Sequence, residues 1–263
     1  MKYLKYFENL DYMDLINKEL STLKDLNIPK YVGVSIYCNI NMLTSLEFGP
    51  EIVNGDFNCS ENKLTSLKYC PHTIHGDFTC HTNPLKTLKY APKKVDGSFT
   101  CSGSELESLK YLPKYVGKSI LCANNKLTSL KYSPETIYGG FLCQKNKITS
   151  LEFGPKIVSG DFCCFDNKLT SLEGCPEIVG GKFICQDNDW KNPIPHNIIE
   201  KYKINTKLLY TDEQKEKFGS YKYQKEFLAE TPEKHKDLIP IGFNDQIKEE
   251  FDWLFNAADM GLM

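Results

Sequence analysis

Eight prolines, Pro29, Pro50, Pro71, Pro92, Pro113, Pro134, Pro155 and Pro176, recur at one fixed 21-residue period, with no insertion in the series. A fixed period of this length marks a solenoid, one small unit of structure stacked on itself. The shared pattern is P-x-x-[VI]-x-x-x-[FI]-x-C-x-x-N-x-L-x-x-L. Its first apolar place holds Val32, Val53, Ile74, Val95, Val116, Ile137, Val158 and Val179. Four residues on stand Ile36, Phe57, Phe78, Phe99, Ile120, Phe141, Phe162 and Phe183, and two residues later every unit has a cysteine.

One residue separates the phenylalanine from the cysteine, so in an extended chain both side chains point the same way and their neighbours point the other. The spacing predicts one short parallel strand per coil. Asn41, Asn62, Asn83, Asn125, Asn146, Asn167 and Asn188 follow three residues after the cysteine, where a buried amide can bond the turning backbone of its own and the adjacent coil; coil four has Ser104 instead. Two further leucines, such as Leu169 and Leu172, close the return leg. Five inward residues per coil cannot bury themselves alone, so the coils must stack.

The run F-x-C-x-x-N-x-L resembles the L-x-L-x-x-N-x-L signature of leucine-rich repeats, with cysteine in place of the second leucine. The short coil and its proline are most similar to the compact repeats of bacterial secreted effectors, and NKLTSLEGCPEIVGG resembles repeat proteins of bacteriophages and large viruses. The resemblance covers about residues 20–196. It implies an α/β repeat fold, a leucine-rich-repeat solenoid with helical amino- and carboxy-terminal caps, and is nearly silent on function. A non-enzymatic protein-binding role is expected, and with a viral origin its use would be to block or sequester a host protein such as a defence factor. Some effectors with similar repeats carry a ubiquitin-ligase domain built on a nucleophilic cysteine. Here the last cysteine, Cys185, lies inside the repeats and only the short segment 197–263 follows them, so no such domain fits.

The chain divides into an amino-terminal helical cap over 1–28, an eight-coil solenoid over 29–196 and a carboxy-terminal helical segment over 197–263. Leu4, Phe7, Leu10, Leu15 and Leu20 form the expected helical stripe of the first cap, which would cover an otherwise bare sheet edge. Trp190, Pro193 and Pro195 break the pattern and end the stack. Thr211 and Gln214 make a capping-box signature opening a helix to about Ala229, and two more short helices are expected, after Thr231-Pro232 and from Asn244 to Ala258. Residues 230–263 hold eight acids and three lysines, read as a solvated acidic face or a docking element.

No apolar run is long enough for a membrane span, and the charged residues scattered through Met1–Ile28 do not fit a secretory leader, so a cytoplasmic protein is expected, in the host cell if the source is viral. The chain has eleven cysteines, of which Cys38, Cys59, Cys80, Cys101, Cys122, Cys143, Cys164 and Cys185 share the one inward place. One thiol per coil is not the paired ligand set of structural zinc, so this cysteine ladder reads as small buried hydrophobes, with no cofactor implied. All 32 basic residues are lysine. Without the arginine fork that reads guanine, and with 18 lysines against 16 acids in the coils giving no strong basic field, a nucleic-acid partner is not expected. No phosphate loop, zinc-protease helix or serine elbow is present, and His72, His75 and His81, though in one coil, occupy places that do not converge.

Outward residues carry what the pattern leaves free. Beside the phenylalanine runs Ser35, Asp56, Asp77, Ser98, Ser119, Gly140, Asp161 and Lys182; between phenylalanine and cysteine, Tyr37, Asn58, Thr79, Thr100, Leu121, Leu142, Cys163 and Ile184; beyond the cysteine, Asn39, Ser60, His81, Ser102, Ala123, Gln144, Phe165 and Gln186. The last four coils gather Leu121, Leu142, Cys163, Ile184 and Phe165 into an apolar patch with Asp161 and Lys182 on its rim. This is a candidate protein-binding site, unless the carboxy-terminal segment folds back over it; self-association through the patch or the tail is the alternative. On the opposite side Phe48, Tyr69, Tyr90, Tyr111, Tyr132 and Phe153 form a row beside Lys68, Lys89, Lys110 and Lys131. It reads as rings stacked on one another as repeat architecture, or as a site for an anionic partner or single-stranded nucleic acid.

Overall fold

The computed structural model describes residues 12–204 and 209–219. Every coil contributes one strand to a continuous nine-stranded parallel sheet, from Tyr12–Asp14 and Ser35–Tyr37 through Phe57–Asn58 to Phe162–Cys163 and Phe183–Ile184. From coil one onward the register advances by one full coil at each step, with Phe57 beside Phe78 and Phe141 beside Phe162. The proline leg of each coil adds a second two-residue strand, giving a five-stranded ladder from Tyr31–Val32 to Tyr115–Val116 and a three-stranded one from Thr136–Ile137 to Ile178–Val179. Pairing on both legs fixes the rise per coil at the strand spacing of about 4.8 Å.

The inward rows are sealed. Phe57, Phe78, Phe99, Phe141 and Phe162, all eight ladder cysteines and the return-leg leucines are fully or almost fully buried. Ring centroids of Phe57 and Phe78 lie 6.2 Å apart, those of Phe78 and Phe99 5.3 Å, and those of Phe162 and Phe183 5.1 Å. Burial pushes the thiols of Cys38, Cys122 and Cys185 up to about 12, so they stay protonated and act as small apolar groups.

The asparagines bind coil to coil. Asn62 Nδ2 donates to the carbonyls of Cys59, Ser60 and, one coil back, Cys38, at 3.0–3.1 Å, while its Oδ1 accepts the Leu43 N–H at 2.9 Å. The residue before each asparagine is left-handed, from Ile40 (φ 57°) to Asp187 (φ 55°), a conformation unfavourable to an L-residue and held here by the amide beside it. Coil four departs. Its left-handed place is Gly103, the Ser104 hydroxyl oxygen is buried without a partner among the described residues, and the Leu85 N–H turns instead to the Asn83 carbonyl at 2.7 Å.

Over residues 12–28 the expected helical cap is not what forms; Leu4, Phe7 and Leu10 lie outside the described residues. Tyr12–Asp14 is a strand paired with Ser35–Tyr37, and only Lys24–Leu26 makes a turn of 3₁₀ helix. The physical reason is the open edge of coil one. A helix bonds its own backbone, whereas the Leu15 N–H reaches the Tyr37 carbonyl at 2.8 Å and Asn41 Oδ1 accepts the N–H groups of Lys18 and Leu20 at 2.9 Å. Met13 and Leu15 are buried on either side of exposed Asp14, the period of a strand.

At the other end helix α1, His196–Tyr202, and helix α2, Asp212–Gly219, close the core. The Tyr202 ring packs 4.7 Å from Phe183 and its hydroxyl donates to the Pro176 carbonyl. Trp190 Nε1 donates to the Leu209 carbonyl at 3.1 Å. The capping box of α2 forms in both directions, Gln214 N–H to Thr211 Oγ1 at 3.2 Å and Thr211 N–H to Gln214 Oε1 at 3.0 Å. The helices expected beyond Gly219 and the acidic tail lie outside the described residues. Among the described residues no helix is long and apolar enough to cross a membrane.

Candidate protein-binding face and the open end of the sheet

The strand register sets Leu121 beside Leu142, Leu142 beside Cys163 and Cys163 beside Ile184, so these four form one unbroken row across the last four coils. Leu121, Leu142 and Ile184 are half-buried, as is Phe165 two residues along from Cys163. Cys163 sits lower, at 6 % exposure, and its thiol is pushed up to about 11 by burial and the nearby Asp161. It is therefore the floor of the row rather than a contact side chain, because the larger Leu142 and Ile184 flank it.

Asp161 and Lys182 are exposed at the rim, as expected, but the Asp161 carboxylate has a structural partner: its Oδ1 accepts the Lys182 N–H at 2.8 Å. Ser35, Asp56, Asp77 and Ser119 make the same bond to the following coil. The first outward row is thus a second coil-to-coil seam. In the third row Gln144 Oε1 is buried and meets no donor among the described residues. An unpaired buried acceptor costs free energy.

The described part of the carboxy-terminal segment does not lie across this face. It meets the end of the stack, where Gln214 Nε2 donates to the Asn188 carbonyl at 2.9 Å and the Ile194 N–H bonds the Tyr210 hydroxyl at 2.7 Å.

A feature that the sequence does not signal stands at that end. Phe183–Ile184 is the last strand of the sheet, and among the described residues the amides of Phe183 and Cys185 meet no backbone acceptor. Beside this edge lies a cavity of about 480 Å³, between Lys182–Gln186 and the residues Tyr202, Lys203, Ile204 and Leu209. Ile184 belongs to both the cavity and the apolar row. The pattern break at Trp190 and the prolines after it mark where the stack ends, but not that, among the described residues, no further strand pairs with its last one.

Neither a protein-family model nor a curated protein matches the chain. What the geometry defines is a repeat protein, a parallel β-solenoid of 21-residue coils with a ladder of buried free thiols.

Proposed function

We propose that the chain is a non-enzymatic, leucine-rich-repeat type solenoid that binds another protein at the carboxy-terminal end of its strand face. The observation that carries this reading is the continuity of the apolar row with an edge strand whose N–H groups, among the described residues, meet no backbone acceptor beside a cavity. An extended segment of a partner fits such a place, its backbone pairing with the edge and its apolar side chains entering the cavity and lying along Ile184, Leu142 and Phe165. The resemblance to viral repeat proteins, with the arginine-free composition, supports a narrower form, in which the partner is a host protein held in the host cytoplasm.

The test is capture from host lysate by the native protein and by Leu142→Lys with Phe165→Lys, with partners identified by mass spectrometry and rebound in purified form. A partner held by the native chain and lost in the variant, at unchanged melting temperature, is expected. The same partner retained by the folded variant contradicts the assignment.

The open edge also favours a second reading, pairing of two copies of the chain through Phe183–Ile184. Sedimentation velocity over a range of concentrations separates the two. A monomer at every concentration removes self-assembly.

A further inference from the structure

The opposite flank of the solenoid carries a surface that neither the fold nor the reading above uses. Lys68–Tyr69, Lys89–Tyr90, Lys110–Tyr111 and Lys131–Tyr132 occupy one place in coils two to five. Each tyrosine is the left-handed residue of the turn, with φ of 68–76°, and each is about half exposed, between 47 % and 51 %. The expected stacking of these rings on one another is not what forms. Neighbouring lysines fold over them instead, with Nζ 4.7, 5.0, 5.1 and 5.5 Å from the centroids.

The place does not demand these residues. In coils one and six it holds Glu47–Phe48 and Glu152–Phe153, with the same left-handed backbone (φ 68° and 63°) and equal or greater exposure. Coil seven has Glu173 with Gly174. Lysine and tyrosine therefore come and go together on an unchanged scaffold. The basic character reaches beyond the pairs: the legs 65–73, 86–94, 107–115 and 128–136 together hold eight lysines and only two acids, in a chain of net charge −2. One of those acids, Glu135, is taken up by Lys156 at 2.7 Å, and one of the lysines, Lys94, is paired with Asp96 at 2.8 Å.

We propose that this flank binds single-stranded nucleic acid without regard to sequence. Bases stack on the tyrosine faces, displacing the lysine from each ring, and the released ammonium groups meet the phosphates. The absence of arginine fits this mode, since stacking reads no base edge. Four pairs at a rise of about 4.8 Å span about 14 Å, room for a short stretch of strand. An acidic protein segment would use the lysines but give the tyrosines no role, which leaves unexplained why both change together.

The experiment is fluorescence anisotropy with labelled oligo-dT and oligo-U on the full chain at low and raised salt. Three variants accompany the native protein: Tyr90→Ala with Tyr111→Ala, Lys89→Gln with Lys110→Gln, and Phe153→Ala outside the band. Melting temperatures show that each is folded. Binding by the native chain is expected, weakened about tenfold or more by the tyrosine pair. The lysine pair should weaken it and flatten the dependence of log affinity on log salt by about 1.4, and Phe153→Ala should leave it unchanged. No binding at low salt, or binding indifferent to the tyrosine pair, overturns the proposal. An oligo-glutamate peptide bound more tightly than either oligonucleotide overturns it in favour of an acidic protein.

Discussion

Coils one to four and coils five to eight share an interior and differ on their strand face. Phe78 and Phe162 are equally buried, and Asn62 and Asn146 make the same bonds to their own and the preceding coil. Yet the row between phenylalanine and cysteine runs Tyr37, Asn58, Thr79 and Thr100 in the first half and Leu121, Leu142, Cys163 and Ile184 in the second. In the first half it serves itself: the Tyr37 hydroxyl bonds Asp56, and Asn58 Oδ1 holds the Ser60 N–H and hydroxyl. In the second half the row is apolar throughout. The difference teaches that the stack is specified by its inward rows and by the seam before the phenylalanine, and that the row between phenylalanine and cysteine varies without cost to the fold.

If that is right, interior changes cost far more than exterior ones. The largest effect expected is alkaline. Cys38, Cys122 and Cys185 are raised from 9.0 to about 12 by burial. Below pH 9 they are protonated in both states and cost nothing. As pH climbs toward 12, the unfolded chain releases protons that the folded chain must keep, so stability falls by about 1.4 kcal/mol per unit for each thiol. By about pH 11 these three alone remove about 8 kcal/mol, comparable to the whole stability of an ordinary domain. Circular dichroism against pH checks this: steep unfolding above about pH 9 is expected, and a chain folded at pH 12 would refute the thiol ladder.

Next in size is Phe162→Ala, which opens a cavity between Phe141 and Phe183 and should cost about 4 kcal/mol in chemical denaturation. The smallest interior change sharpens the comparison from the other side. Ser104→Asn restores the missing member of the asparagine ladder, giving the Leu85 N–H and the Cys80 carbonyl the partners their counterparts have elsewhere. A gain of about 1 kcal/mol, or about 2–4 °C in melting temperature, is expected. No gain would mean that coil four has repacked around its serine.

Most of the fold is legible because the inward residues repeat at one period, and a period needs no knowledge of the third dimension. The coil-to-coil role of the asparagines follows from their place after the cysteine. The amino-terminal cap is not legible in this way, because its pairing with coil one, Tyr12 beside Ser35, is offset two places beyond the repeat period, and the repeat register does not find it. Leu15 and Leu20 then look like part of a helix. Of the face residues, Leu121, Leu142, Phe165 and Ile184 come out at the surface as expected, and Cys163 sinks because its neighbours across the sheet are larger. The edge left unpaired among the described residues and the cavity beside it are invisible in the sequence, since they depend on where α1 comes to rest against Phe183.

The separation of inward from outward rows is most directly tested by thermal unfolding of two variants in the same coil. Asn146→Ala strips the Leu127 N–H of its acceptor and the Cys122, Cys143 and Gln144 carbonyls of a donor. It should cost about 3 kcal/mol and lower the melting temperature by about 6–12 °C. Leu142→Lys, on the strand face, should shift it by no more than about 3 °C, because the lysine can lie along the sheet with its ammonium in water. The reverse order, with Leu142→Lys the more damaging, would contradict the claim that this row of the strand face is free of the fold.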